Sequence, residues 1–201
     1  MTSGPGRGSA LRLPRPPRAR SGAGFTLLEL LLVVALVLVL AGVAVPWSAS
    51  ALEGAKARGA ARYVAARFSL ARAQAVARTA NVAVAFSAAS SGVVLASYQD
   101  GNGNGVRVAD IASGADVLVD GPVGLAELFP GVALTINSPT APPLTGSTTL
   151  MSFTASGTAS SGTIYLRGRD ASQYGVRVLG ATGRTRVLRY LAPKDQWVPV
   201  F

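Results

Sequence analysis

Three groups of residues in this 201-residue chain have the types and spacing to do chemistry. Glu29 stands alone inside an apolar run. Asp100, Asn102 and Asn104 alternate ahead of Gly105. Arg184 and Arg186 flank Thr185 directly after Gly183. Acid–base and nucleophilic catalysis have little else to draw on. The chain holds no histidine and no cysteine, which removes the commonest general base, the commonest metal ligand and every thiolate. A serine nucleophile would then need a lysine or an N-terminal amine. Lys56 and Lys194 are the only lysines, and neither sits at the Ser-x-x-Lys spacing. No Walker loop, dinucleotide-binding glycine motif or paired carboxylates occur. No catalytic residue is expected, and neither a cofactor nor a small-molecule substrate.

Each group has a plain alternative. Asp100-x-Asn102-x-Asn104-Gly105 matches the first half of an EF-hand-type calcium loop. The twelfth position is Ile111 where a bidentate Glu is needed, with Asp110 one residue early. The same residues favour tight turns for backbone reasons, and a polar turn between strands is the preferred reading. On a strand, alternation puts Arg184 and Arg186 on one face and Thr185 and Val187 on the other. Arg189 follows closely, with Arg167, Arg169 and Arg177 on what the pattern makes adjacent strands. Such a cluster could grip phosphates, including those of DNA. It also suits a solvated edge strand kept from aggregating by its charges, and that reading is preferred.

Glu29 is the only charge between Phe25 and Val45, a run of 21 residues. As a helix that run is about 31 Å long, the thickness of a bilayer's hydrocarbon core. A carboxylate there is costly and needs a reason. Upstream, residues 1–24 carry Arg7, Arg12, Arg15, Arg18 and Arg20, four prolines and no acidic residue. The positive-inside rule keeps these arginines cytoplasmic and sends the rest of the chain across the membrane. An ordinary secretory signal, with Ala49-Ser50-Ala51 as its cleavage site, has a shorter apolar region and no use for Gly24 or Glu29. The net charge of +10 includes the leader's five arginines, so much of the basicity says nothing about partners.

Gly24-Phe25-Thr26-Leu27-Leu28-Glu29 resembles the class III signal of type IV prepilins and type II secretion pseudopilins. The resemblance implies that a prepilin peptidase cuts after Gly24 and methylates the new N-terminus, Phe25. It also implies that Glu29 guides docking to a neighbouring subunit in assembly.

Past Pro46, which is expected to kink the helix rather than end it, Ser48 to Thr79 is Ala-rich and basic. Val64, Phe68, Ala71 and Ala75 recur at helical spacing, so the helix is expected to continue with its arginines on a solvated face. After Asn81, strands are expected over 82–86, 93–98, 116–119, 132–136, 149–153, 162–167, 174–179 and 184–191. Loops rich in Gly, Pro, Ser and Thr separate them, 137–148 above all. The expected fold is α+β: a long N-terminal helix, half transmembrane and half amphipathic, packed on a mostly antiparallel sheet domain. The divisions are 1–24 leader, 25–45 transmembrane and assembly helix, and 46–201 periplasmic domain.

Met151-Ser152-Phe153-Thr154-Ala155-Ser156-Gly157-Thr158, Gly162-Thr163-Ile164-Tyr165-Leu166, Val176-Arg177-Val178 and Gly183-Arg184-Thr185-Arg186-Val187 follow in order. This succession is similar to the GspH/FimT family of minor pseudopilins and minor pilins. The resemblance implies a type IV pilin-like fold and a structural subunit at or near the tip of a filament. An H-like minor pseudopilin of a type II secretion system is the first reading. A FimT-type minor pilin, taking up DNA through Gly183–Arg186, is the alternative. Implied partners are other minor and major pseudopilins or pilins, the prepilin peptidase and the bacterial inner membrane. Pro193 to Phe201 has no counterpart in the family pattern.

Overall fold

The computed structural model describes residues 25–136, 138–141, 144 and 148–200, with only the backbone described over 45–50. The leader, Gly24 included, lies outside them, as does half of the 137–148 loop. The chain divides into two compact units, Met1–Val43 and Ala44–Phe201.

In the first unit, helix α1 (Leu27–Arg78) begins. Thr26 caps it: its hydroxyl accepts the Glu29 N–H at 3.2 Å and its carbonyl accepts the Leu30 N–H at 3.1 Å. Thr26-x-x-Glu29 is thus a capping-box sequence, and Glu29 also sits where a carboxylate complements the helix dipole. Leu27–Ala44 is an 18-residue window with mean hydropathy 2.9 and no buried residue. Every described side chain from Phe25 to Ala44 is exposed. The helix backbone runs through position 46.

In the second unit α1 turns amphipathic. Ala57, Ala60, Ala61, Val64, Phe68, Ala71 and Ala75 are buried, the three-and-four spacing of one helix face. Mostly alanine, this face lets the backbone approach the sheets closely. Phe68 is the large exception, its ring 5.9 Å from those of both Phe86 and Phe153. The helix ends at Arg78, with Thr79 in the left-handed region (φ 52). The Ala80 and Thr79 N–H groups bond back to the carbonyls of Ala75 and Val76, at 3.2 and 3.3 Å, a Schellman closure.

Among the described residues, nine strands form two antiparallel sheets. In order they are β1 (Val82–Ala89), β2 (Gly92–Gln99), β3 (Val117–Gly124), β4 (Ala133–Ile136), β5 (Thr149–Phe153), β6 (Gly162–Arg167), β7 (Gln173–Leu179), β8 (Arg184–Leu191) and β9 (Gln196–Pro199). One sheet has the order β3-β2-β1-β5 and the other β4-β6-β7-β8-β9. The chain lays β4 in the second sheet, returns to the first for β5, and crosses again for β6. That exchange ties the sheets over one core, in which Val84, Leu95 and Met151 join Leu134, Ile164, Val176 and Val187 around the helix face.

All the expected strands are present, several of them longer. Three short pieces were not expected: α2 (Val108–Ser113), α3 (Leu125–Leu128) and β9, which follows a 3-10 turn at Ala192–Lys194. The expectation that the helix arginines form a solvated face is corrected at Arg67. Its side chain is only 11 % exposed and ion-pairs with Asp120 of β3, and it lies 5.9 Å from the Tyr63 ring centroid. Arg72 also turns inward, its Nε donating to the Gly157 carbonyl at 3.0 Å. Arg67 and Arg72 stand beside the buried face rather than opposite it, so these long cationic side chains reach back over the domain, while Arg58, Arg62 and Arg78 stay exposed.

Candidate functional site

The Gly183–Arg186 segment starts β8. Gly183 has φ +59, and a Cβ there would lie 2.4 Å from the Gly157 carbonyl oxygen and 2.8 Å from Arg72 Nε. The glycine is therefore fixed by packing and backbone conformation. Register places Arg186 opposite Arg177 and Arg184 opposite Leu179. These share the face turned away from the helix, as alternation requires, and both motif arginines are exposed. Arg189 pairs with Tyr174 and takes the opposite face. Arg169 packs near Gly131, whose Cβ position is 2.5 Å from Arg169 Nε. The six arginines read from the sequence as one cluster are thus divided between surfaces. Arg177 and Arg186 remain as a like-charged cross-strand pair, with Arg184 beside them. A cleft of ≈ 600 Å³ runs between the motif and the end of α1, lined by Ser69, Arg72, Val76, Gly183, Arg184 and Thr185.

The Asp100 loop is closed by its own backbone. Asp100 Oδ1 accepts from the N–H groups of Asn102 (3.2 Å) and Gly103 (2.7 Å). Its Oδ2 accepts from the Gly105 N–H (2.7 Å) and the Asn81 amide (2.9 Å). Burial alone would raise this carboxyl's pKa, but the donors from Asn81, Gly105, Gly103 and Asn102 together hold it below its ordinary 3.8. Asp116, also buried, accepts from Gly101 and Arg107. These carboxylate oxygens are spent on N–H donors, the arrangement of a turn. Asn102 Oδ1 does the same for the Asn104 N–H at 3.2 Å. Among the described residues no group of three or more acidic side chains is placed to hold a metal ion.

Glu29 lies in the first turn of α1, and Phe25 is 80 % exposed. Sequence reasoning missed the capping role of Thr26, although Thr-x-x-Glu was there to be read. It also missed a second cleft, of ≈ 520 Å³, where Arg58 and Arg189 meet Tyr174. The signal for that one lies only in strand register, which places Arg189 beside Tyr174.

Known proteins bear on this geometry as follows. The family model described as type II transport protein GspH matches residues 60–183. Among solved structures, the minor pseudopilin EpsH from the type 2 secretion system of Vibrio cholerae is similar, at 15 % identity and a TM-score of 0.46. That match covers 67 % of this chain and 97 % of that one. No curated protein sequence matches. The family match spans the helix face, both sheets and the turn into β8, and it favours the secretion subunit over the DNA-capturing pilin. The chain belongs to the GspH family and is a minor pseudopilin of the type II secretion system.

Proposed function

We propose that this subunit is stored in the inner membrane by the Phe25–Val45 segment, with its domain in the periplasm. From there it enters the pseudopilus at or near the tip, where it helps to start assembly. Its working partners on this reading are other minor and major pseudopilins, and the prepilin peptidase that processes it. The observation that carries this is the uniformly exposed apolar helix with one carboxylate in its first turn. An apolar surface of that length needs a cover, and lipid before assembly and neighbouring helices after it supply one. Glu29 then meets the amine of a neighbouring Phe25, and an unpaired charge in that setting is heavily penalised. Cleavage after Gly24 creates the amine.

The test is Glu29→Ala in the full chain, expressed with its secretion system. Processing to mature length is expected to be normal, and recovery in sheared pseudopili to fall about tenfold or more. Normal recovery would remove the pairing argument. Gly24→Leu in parallel is expected to keep the leader attached.

A further inference from the structure

The outer face of the second sheet carries a surface that the core does not use. Val176 and Val187 enter the core. Alternation along β6 to β9 therefore turns Tyr165, Arg177, Arg186, Tyr190 and Trp197 outward. Three aromatic rings meet at one end of that face. The ring centroids of Tyr165 and Tyr190 lie 5.4 and 5.3 Å from that of Trp197. Gly175 of β7 makes room for them. A Cβ there would stand 3.3 Å from the Trp197 ring and 3.6 Å from that of Tyr165. The indole thus reaches from β9 across β8 to β7. All three aromatic side chains are half-buried, each keeping part of its surface open.

The other end of the face is basic. Arg177 stands opposite Arg186, and Arg184 follows on β8. All three are exposed, and among the described residues none of them has an ion pair. The five strands of this sheet contain no acidic residue. Asp195, in the turn before β9, accepts the Tyr190 hydroxyl at 2.7 Å. Trp, Tyr and Arg are the side chains that supply most of the binding energy at protein–protein contacts. Here they share one face that carries a single sign of charge. The Tyr165 and Tyr190 rings are tilted by 60° and 46° to the indole. They form no parallel set on which successive bases could stack, so the face suits a protein better than a nucleic acid.

Charge and family membership together name the partner. Guanidinium groups beside aromatic rings call for carboxylates set around an apolar spot. A second copy of this chain does not supply them. Four of its nine acidic residues are exposed, Glu29, Glu127, Asp170 and Asp195, and they stand on separate elements. Members of this family assemble with other pseudopilins, which makes those subunits the available neighbours. We infer that the outer face of the second sheet docks a different pseudopilin through an acidic patch on that neighbour. Trp197 and Tyr190 anchor the contact, and Arg177, Arg184 and Arg186 pair with the carboxylates. Five strands at about 4.8 Å spacing make the face about 19 Å wide, and its longer strands run about 20 Å. Such an area is at the low end for a protein contact, and it suffices between subunits that one pseudopilus already holds together. The inference rests on the secretion reading and adds to it the surface used and the charge of the partner.

The experiment is photo-cross-linking of the full chain in cells that carry its secretion system. The photoreactive residue is benzoylphenylalanine, placed at Tyr190 or, for comparison, at Val117 of the other sheet, which is 58 % exposed. Adducts are probed with antisera to each of the other pseudopilins and to a secreted protein, and are also stained for DNA. Position 190 is expected to give an adduct with one other pseudopilin, about tenfold stronger than any from position 117. Arg177→Gln/Arg186→Gln in the same chain should weaken that adduct by about tenfold, and Arg177→Lys/Arg186→Lys should restore part of it. Both pairs change only exposed side chains, so the fold stays intact. Recovery of the chain in sheared pseudopili is measured in the same cells. If the chain is recovered there and position 190 gives no such adduct, the docking inference alone is overturned. An adduct with DNA or the secreted protein instead, or one undiminished by the glutamine pair, overturns it too. If the chain is absent from pseudopili, the secretion reading fails and the inference falls with it.

Discussion

Helix α1 contains two stretches that solve the same problem in opposite ways. From Phe25 to Ala44 every described side chain is exposed, Leu27 by 79 %, and none of the described residues covers this surface. From Ala57 to Ala75 the buried apolar residues occupy a single face within the chain's own core, while Leu70 and Ala73 lie exposed outside it. The difference lies in pattern rather than in hydrophobicity. An all-round apolar helix cannot be covered by one sheet layer, whereas a stripe can. The first stretch is a surface awaiting other molecules, and the second is the spine of a self-sufficient domain.

The sharpest way to break that contrast is to cut equal chemistry from both stretches. Phe68→Ala should destabilise the domain by about 3–5 kcal/mol, because its ring touches those of Phe86 and Phe153, one from each of two strands. Leu32→Ala should leave the domain's thermal unfolding within about 0.5 kcal/mol. Comparable losses from both variants would mean that the apolar stretch contributes to the domain after all.

A second variant tests whether the domain satisfies its polar groups internally. Asp100→Asn removes a charged acceptor from four donors and should cost about 1–3 kcal/mol at neutral pH. The sign of the pH dependence follows from the direction of the shift. The folded carboxyl is held below its ordinary 3.8, so its contribution is complete above the unfolded value. It fades as the pH drops through the folded one. Denaturation curves between pH 6 and pH 2 should therefore converge for native chain and variant at the acid end, as the linkage relation requires. A constant gap would show that the carboxylate's charge is not what closes the loop.

How much of this was legible follows the same physics. The helix face was readable because Val64, Phe68, Ala71 and Ala75 repeat with helical period, and the strands because apolar residues alternate between turn-forming clusters. The segment Val108–Ser113 was not, since six residues make under two turns and show no period. Nor was β9, where Pro199 speaks against a strand and only the edge position beside β8 tolerates it. The arginines were the least legible. Spacing correctly put Arg184 and Arg186 on one face, but a sequence cannot say that Arg67 finds Asp120 53 residues away. Nor can it say that Arg189 turns to Tyr174 rather than joining the motif.

The end of the self-sufficient stretch carries a local cost. Thr79 is a β-branched residue in the left-handed region, exposed, closing α1 where glycine is the usual choice. Thr79→Gly relieves that conformation, and the glycine's extra freedom in the unfolded chain offsets part of the gain. A net stabilisation of about 0.5–1 kcal/mol is expected in urea unfolding. A loss would mean that the threonine side chain contributes more than its backbone costs.

The smallest effect probes where the domain itself behaves like the apolar stretch and leaves groups unanswered. Arg177 and Arg186 face each other across β7 and β8, both exposed, and like charges in that position repel. Among the described residues, Arg177 Nε has only the Thr163 hydroxyl, at 3.4 Å. Arg186→Gln should therefore stabilise the isolated fold by a few tenths of a kcal/mol, about 0.2–0.5. The gain should shrink as salt rises, since exposed charges are screened. If Arg186→Gln destabilised the fold instead, the pair would be part of the domain's own packing. The division between an internally answered domain and an outward-facing helix would then hold without exception.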